Sequence, residues 1–344
     1  SYPETLVTGY LMAVDTAHRK FYDFEAFDSP PNETNLKVDP EETKRIFSYV
    51  NENIIGSQRG FSSPFGYKKV TYCDYVASGR SLKFIEEYIL DQVLPQYGST
   101  HTTTSVSSLQ TTLFRHEARD IIRNAVRASE HDRIIFTGSG STGAVNKLIN
   151  GLNLVTSPIV FVDFTAHHSS LLPWREIGAL VIRIKERKDG TLDEEHLESL
   201  MVELKSLERQ MIGCFSAASN ITGLLIDTDS VTSLLHKYNA FAFWDFATAA
   251  PYVDVIMNPV ISNDSSSLSH KDAIFFSLHK FVGGVQTPVF FVSREKHRYL
   301  QDVEEREEGG TPPIVETIRG GMVMQLKMNL TPKAIKERCF QLSR

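Results

Sequence analysis

A lysine that closes an apolar run can attack a carbonyl, because burial disfavours its charged form. Lys280 stands in SLHKFVGG, directly after the run AIFFS (273–277). Partial desolvation there lowers an amine's pKa and suits it to Schiff-base chemistry. The plainer alternative is a surface lysine at a strand end, the usual place for one. Asp245 closes AFAFWD (240–245). A carboxylate at that point can keep a heteroaromatic ring nitrogen protonated, so that the ring accepts electrons from a carbanion. It can equally cap a helix or pair with a buried cation. His167 and His168 follow PIVFVD (158–163). One ring could stack on a flat ligand while the other supports it; two loop histidines with ordinary hydrogen bonds are the alternative. No metal is expected, since Cys73, Cys214 and Cys339 lie far apart and form no Cys/His cluster with zinc-ligand spacing.

The loop GSGSTG after RIIFT (133–137) admits two chemical readings. Gly138, Gly140 and Gly143 spell G-x-G-x-x-G between a strand and a helix, with Asp163 further along where a ribose-binding acid would stand. That reading gives a nucleotide-binding oxidoreductase but leaves Lys280, Asp245 and Asn220 without a role. The second reading uses helix-terminal N–H groups and the hydroxyls of Ser141 and Thr142 as a site for one phosphate. A capped βα turn without ligand is the third possibility. A P-loop is excluded, because no Gly-Lys-Ser/Thr follows.

The elements that must position these residues can be read from apolar patterning. The runs 133–137, 158–163, 179–184, 211–217, 240–245, 273–277 and 288–293 are short and apolar, as strands buried on both faces are. Segments of helical periodicity lie between them, including AVNKLINGL, DEEHLESLMVELKSLER and DSVTSLLHKY. Two more precede the first strand, SLKFIEEYILDQVL and LFRHEARDIIRNAVRA, and DPEETKRIFSYVNENI opens on Asp39 and Pro40 like a helix start. The pattern predicts a three-layer α/β protein with a mostly parallel sheet. Ligands bind beyond the carboxyl ends of such strands. The glycine loop, the histidine pair, Ser219 with Asn220, Asp245 and the Ser277–Lys280 turn all stand there.

In order and spacing these motifs resemble the class V aminotransferase family of pyridoxal-phosphate enzymes, and most of all its cysteine desulfurase branch. The likeness runs from about Val70 to the end. VTYCDYVASGR resembles an opening strand and turn, and LPQYGSTHTTTSVSSLQTTLFRHEAR the substrate-entry segment and its following helix. IIFTGSGSTGAVNKLI resembles the phosphate loop and DFTAHHSSLLPWRE the ring-stacking segment. SAASNITG, FWDFATAAPY and SLHKFVGG follow in the family's order. The resemblance implies the type I pyridoxal-phosphate transferase fold and pyridoxal 5'-phosphate as cofactor. It implies that Lys280 forms the Schiff base and moves protons at the substrate Cα, and that Asp245 binds the pyridine nitrogen. His167 would stack on the ring and Asn220 donate to its phenolic oxygen. Ser141, Thr142, Ser277 and His279 would hold the phosphate. EEGGTPP resembles a segment that crosses a dimer interface, so Thr311 would reach the neighbouring subunit's phosphate in a homodimer with shared sites. Desulfuration of cysteine is the favoured activity. Transamination or a lyase step on the same fold, the oxidoreductase, and a catalytically silent dimerising module are the alternatives.

Three departures stand out. Thr248 occupies a position where the family commonly has Gln, and YGSTHTTTS carries threonines where desulfurases often carry a basic residue. The family's substrate-clamping arginine and persulfide cysteine belong to a C-terminal small domain that is largely absent here. Cys339 is expected to be an ordinary helical cysteine, and Cys73 and Cys214 core strand cysteines. The expected organisation is an N-terminal extension (1–60), a large cofactor-binding domain (61–310) and the start of a small domain (311–344). With 36 Lys+Arg against 42 Asp+Glu, a net charge of −6 argues against nucleic acid, and there is no polybasic or membrane-spanning stretch. The start carries Glu4 and no basic n-region, so it does not read as a signal peptide. It also lacks Met, as a processed chain or a piece of a longer one would. Cysteine usage fits a reducing, cytoplasmic setting.

Overall fold

All seven apolar runs become strands of one sheet. The computed structural model describes residues 40–100, 102, 104–138, 140–259, 268–294, 304 and 307–343. Residues 1–39 of the expected extension, with Asp39 of the helix start, Ser139 of the glycine loop, and His101 and Thr103 of the threonine-rich segment lie outside the described residues. A small antiparallel hairpin comes first, β1 (Gly60–Ser63) with β2 (Gly66–Lys69). The sheet comprises β3 (Asp132–Thr137), β4 (Ile159–Val162), β5 (Leu180–Arg183), β6 (Met211–Ser216), β7 (Phe241–Asp245), β8 (Ala273–Ser277) and β9 (Val289–Arg294). Its order is β3-β9-β8-β7-β6-β4-β5. β9 is antiparallel to both neighbours, while the pairs β8-β7, β7-β6, β6-β4 and β4-β5 are parallel. Topology explains the exception: the connection 278–288 holds only a 3-10 turn, whereas a parallel return needs a longer crossover, usually a helix.

Period-two alternation divides the sheet between two cores. Ile274 and Phe276 of β8 face one core, with Phe161, Phe215, Trp244 and Phe290. Ala273 and Phe275 face the other, with Val160, Cys214, Phe243 and Phe291. The main helices are α1 (Pro40–Glu52), α2 (Val106–Ala125), α3 (Gly140–Gly151), α4 (Glu194–Leu204), α5 (Thr228–Lys237), α6 (Ile314–Leu330) and α7 (Pro332–Leu342). α3 buries Ala144, Val145, Leu148 and Ile149 on the second core. α2 and α6 bury Phe114, Ile121, Ile318, Val323 and Met324 on the first. Side-chain caps fix several starts: Ser105 for α2, Asp193 for α4 and Asp227 for α5.

The structure corrects some local expectations. α2 begins at Val106, upstream of the apolar periodicity, because Ser105 accepts from Ser108 N there. SLKFIEEYILDQVL is not one helix: an α-helix over Lys83–Tyr88 passes into a π-turn over Ile89–Val93 and a 3-10 turn over Leu94–Gln96. Pro95 sits in that last turn, where a ring without an N–H cannot continue the ladder. Cys73 is exposed and lies in an irregular segment, not in a core strand, whereas Cys214 is buried in β6 as expected. The pairing ends near Val70, whose N–H donates to Arg59 O. Beyond it Tyr72 Oη turns the chain back by donating to Asp74 O (2.9 Å) and Ser78 O (2.7 Å).

The free edge of β3 is closed by carboxylates. Glu304 Oε1 accepts from Ile134 N and Glu308 Oε1 from Phe136 N, both at 2.8 Å. Arg115 and Arg119 hold Glu308, and Arg119 and Arg123 hold Glu304. A capped edge cannot pair with another chain's strand, and the same ion pairs anchor the approach to Thr311. Among the described residues no helix is long and apolar enough to cross a membrane.

Candidate active site

Nine of the ten expected site residues line one cavity of about 620 Å³. Ser141 and Thr142 come from the loop after β3, His167 from that after β4 and Asn220 from that after β6. Asp245 and Thr248 come from the end of β7, and Ser277, His279 and Lys280 from the end of β8. A parallel sheet with short strands brings five carboxyl ends to one rim, as the topology requires. Thr311 is the exception: it is exposed and does not line its own chain's cavity.

Asp245 is held at the buried end of β7. Its Oδ1 accepts from Ala247 N at 2.8 Å and its Oδ2 from Ser170 Oγ at 3.1 Å. Burial pushes its pKa up, against the opposing pull of those hydrogen bonds, Lys280 and His167. Burial also lowers the Lys280 pKa, opposed by Asp245, and that of His279, where the Lys280 charge adds to the effect. Burial thus disfavours the charged forms of the amine and the imidazole, beside a carboxylate that gains from a cationic partner.

Two serines that sequence reasoning passed over orient this pair of walls. They sit in one 3-10 turn, His168–Ser170. Thr142 Oγ1 donates to Ser169 Oγ (2.9 Å), and Ser169 Oγ lies 2.9 Å from His167 Nδ1, to which Ser169 N also donates. With Nδ1 accepting, the neutral ring carries its hydrogen on Nε2. Ser170 meanwhile holds Asp245. The signal was in the text, as HHSS directly after the expected strand. His168 does not line the cavity, so its expected supporting role falls to Ser169. Asp74, Val76 and Ala77 were also missed as wall residues; the segment is irregular and has no period to read.

The dinucleotide reading fails on topology. β3 is an edge strand whose sheet neighbour β9 is antiparallel, so the glycine loop does not open a parallel βαβ unit. Asp163 is also committed: Oδ1 accepts from Thr165 N and Oγ1, and Oδ2 accepts from Ser216 N. Gly140 has φ +67°, which accounts for glycine there.

The Lys280 turn is fixed from outside by residues 78–80. Gly79 N donates to His279 O (2.8 Å) and Gly283 N to Arg80 O (2.7 Å). A Cβ added to Gly79 would lie 1.8 Å from Phe281 O. Gly79→Ala therefore has to push the lysine turn away, at about 1–3 kcal/mol for overpacking. The expected result is a lower urea midpoint together with loss of cofactor on dialysis. An unchanged midpoint with full retention would show that the contact does not set the turn.

A second, larger cavity of about 1780 Å³ meets the first at Lys280. It is lined by residues of α1, α6 and α7, and exposed Cys73 and Cys339 both face it. Within its wall Lys327 is almost fully buried. Its Nζ donates to Val253 O (2.6 Å), and burial holds its pKa down at about 8.

The fold is that of the pyridoxal-phosphate-dependent transferases, and residues 71–344 match the family described as Aminotransferase class-V. The chain belongs to that family. It is 24% identical over 280 residues to a probable cysteine desulfurase of Halalkalibacterium halodurans, covering 79% of this chain and 62% of the relative. A probable cysteine desulfurase of Borreliella burgdorferi is 24% identical over 277 residues, covering 74% and 64%. The chain thus spans less than two thirds of the length of these curated relatives. Among solved structures, an apo cysteine desulfurase from Thermococcus onnurineus NA1 superposes with a TM-score of 0.66 at 18% identity, covering 88% of this chain and 74% of the other. A NifS-like protein from Rickettsia africae gives 0.60 at 18% identity, covering 75% and 69%.

Proposed function

We propose that the chain binds pyridoxal 5'-phosphate through Lys280 and acts on a small amino acid. Cysteine desulfuration is the favoured reaction, and transamination or a lyase step on the same scaffold is the alternative. The observation that supports this is the convergence of nine functional side chains from five strand ends on one cavity, with a desolvated amine and a buried carboxylate in its wall. The donor set fits the group: hydroxyls, a carboxylate, an amide, two imidazoles and an amine line the cavity, and each matches the chemistry of one part of it. When bound, the cofactor supplies an electron sink for a carbanion.

The chain's own residues do the rest. Ser141, Thr142 and Ser277, with the amides opening α3, would hold the phosphate, and His279, whose charged form burial disfavours, would complete that cradle. Asp245 would hold a proton at the ring nitrogen. His167, locked by Ser169, would cover one ring face, while Asn220 and Thr248 would reach the ring's polar edge. The Lys280 amine, whose charged form burial disfavours, would hold the cofactor and would take and return the proton at the substrate Cα. The expected dimer would bring Thr311 of one subunit to the phosphate of the other.

Borohydride reduction of the purified protein tests this reading, with peptide mapping by mass spectrometry. A pyridoxyl group on Lys280 is the expected product; a colourless protein without adduct would sink the proposal and favour the silent module. Incubation with cysteine and a thiol reductant then separates the reactions: alanine, with sulfide that the reductant releases from the sulfane sulfur, reports desulfuration; pyruvate with ammonia and sulfide reports a lyase step; and mercaptopyruvate reports transamination.

A further inference from the structure

At the opposite end of the sheet stands a constellation that the proposed reaction does not use. His236 lies in the last turn of α5, His270 in the segment entering β8, and Asp272 immediately before that strand. One ligand atom from each lies within 4.8 Å of the other two. None of the three lines the cofactor cavity. β8, about 17 Å long at 3.3 Å per residue, and the turn after it separate them from Lys280.

Hydrogen-bond logic shows what the cluster requires. His236 Nδ1 is 2.5 Å from Leu268 O, and its Nε2 is 2.9 Å from Asp272 Oδ2. A carbonyl only accepts, so Nδ1 carries the hydrogen. Nε2 then turns its lone pair toward the Asp272 carboxylate oxygen, so both atoms are placed to ligate one ion. His270 supplies a third donor to the same small volume, its ring centroid 4.6 Å from that of His236.

We propose that His236, His270 and Asp272 bind one divalent transition-metal ion, zinc by the character of the donors. Two imidazole nitrogens and one carboxylate oxygen suit zinc, and three protein ligands leave the fourth position to water. The surrounding shell has the matching form. Leu268 O fixes the His236 tautomer that leaves Nε2 free to ligate, and Ala242 N donates to Asp272 Oδ2 at 2.9 Å. The carbonyl end of α5 adds a field that favours a cation. Two ligands on a tetrahedral zinc stand about 3.3 Å apart for bonds of about 2.0–2.1 Å, so the Nε2–Oδ2 pair needs only a small opening. The ion would staple the end of α5 to the start of β8, the strand that carries Lys280 at its other end.

Cobalt(II) titration of the untagged, chelator-stripped, cofactor-loaded protein tests the proposal. One cobalt per chain is expected, with visible d–d bands that zinc displaces. His270→Gln leaves the His236–Asp272 contact in place and should weaken binding by more than the roughly 10–100-fold typical of outer-shell changes. His236→Gln should remove the bands, and the Lys280 adduct should form in both variants. Absence of stoichiometric cobalt, or binding that survives either substitution, overturns the site and leaves the His236–Asp272 contact as a structural hydrogen bond.

Discussion

Lys280→Ala is expected to lower turnover by at least about 10³-fold and to abolish the borohydride adduct. On the proposed function two separate roles would fall to that amine: the covalent hold on the cofactor, and proton transfer at Cα, which alone accounts for about 10²–10⁴-fold in typical enzymes. The same residue is a burden to the cofactor-free fold. Burial lowers its pKa, so the folded chain disfavours the ammonium that the unfolded chain carries freely. The resulting loss of stability is present at neutral pH, shrinks as pH rises past the folded-state pKa, and is gone above the unfolded value near 10.4. Lys280→Met, which keeps much of the side chain's length without the charge, should therefore melt above the cofactor-free wild type at pH 7 and alongside it at high pH. Rate assays and thermal melts on the two variants check both halves. A variant that turned over within tenfold of wild type, or one that lost stability at pH 7, would remove Lys280 from the centre of the site.

Much of the site could be read from text because strand ends are legible. Apolar runs such as AIFFS and AFAFWD mark strands buried on both faces, and the residues that follow strands running in the common direction emerge on the ligand-binding rim, whereas antiparallel β9 ends at the opposite edge. Lys280, Asp245 and Ser277 were found in that way. The strand order itself was not legible, since parallel and antiparallel neighbours of a fully buried strand present the same apolar face; β9 looks no different from β8 in composition. Orienting residues escaped for a related reason. Ser169 and Ser170 act through single hydrogen bonds made inside one turn, and nothing in their type separates them from any other loop serine. Asp163 shows the converse error: its spacing fits a ribose-binding acid, while its oxygens cap Thr165 and the Ser216 amide. Spacing reports reach along the chain, and only the fold reports which way a carboxylate faces.

Asp245→Asn isolates the charge of the acid from its position. The amide oxygen can still accept from Ala247 N, and the Ser170 hydroxyl can rotate to accept from the new NH₂, so the wall should keep its shape. What disappears is the anion that, on the proposed function, would stabilise a protonated ring nitrogen, and a fall in kcat of about 10²–10³-fold is expected, the scale of one lost preorganised electrostatic contact. Stability should move the other way. Burial raises the Asp245 pKa, so the ionised carboxylate costs the cofactor-free fold stability, a cost that sets in as pH rises above the unfolded value near 3.9 and is complete above the folded-state pKa. Cofactor-free Asp245→Asn should accordingly melt above wild type at pH 7 and alongside it below about pH 4. Loading the cofactor should reverse the ranking, because only the wild-type carboxylate gains a cationic partner when the ring arrives. Melting curves with and without cofactor at the two pH values, beside single-turnover rates, measure each effect. Equal stabilisation of both proteins by the cofactor would mean that Asp245 does not face the ring nitrogen.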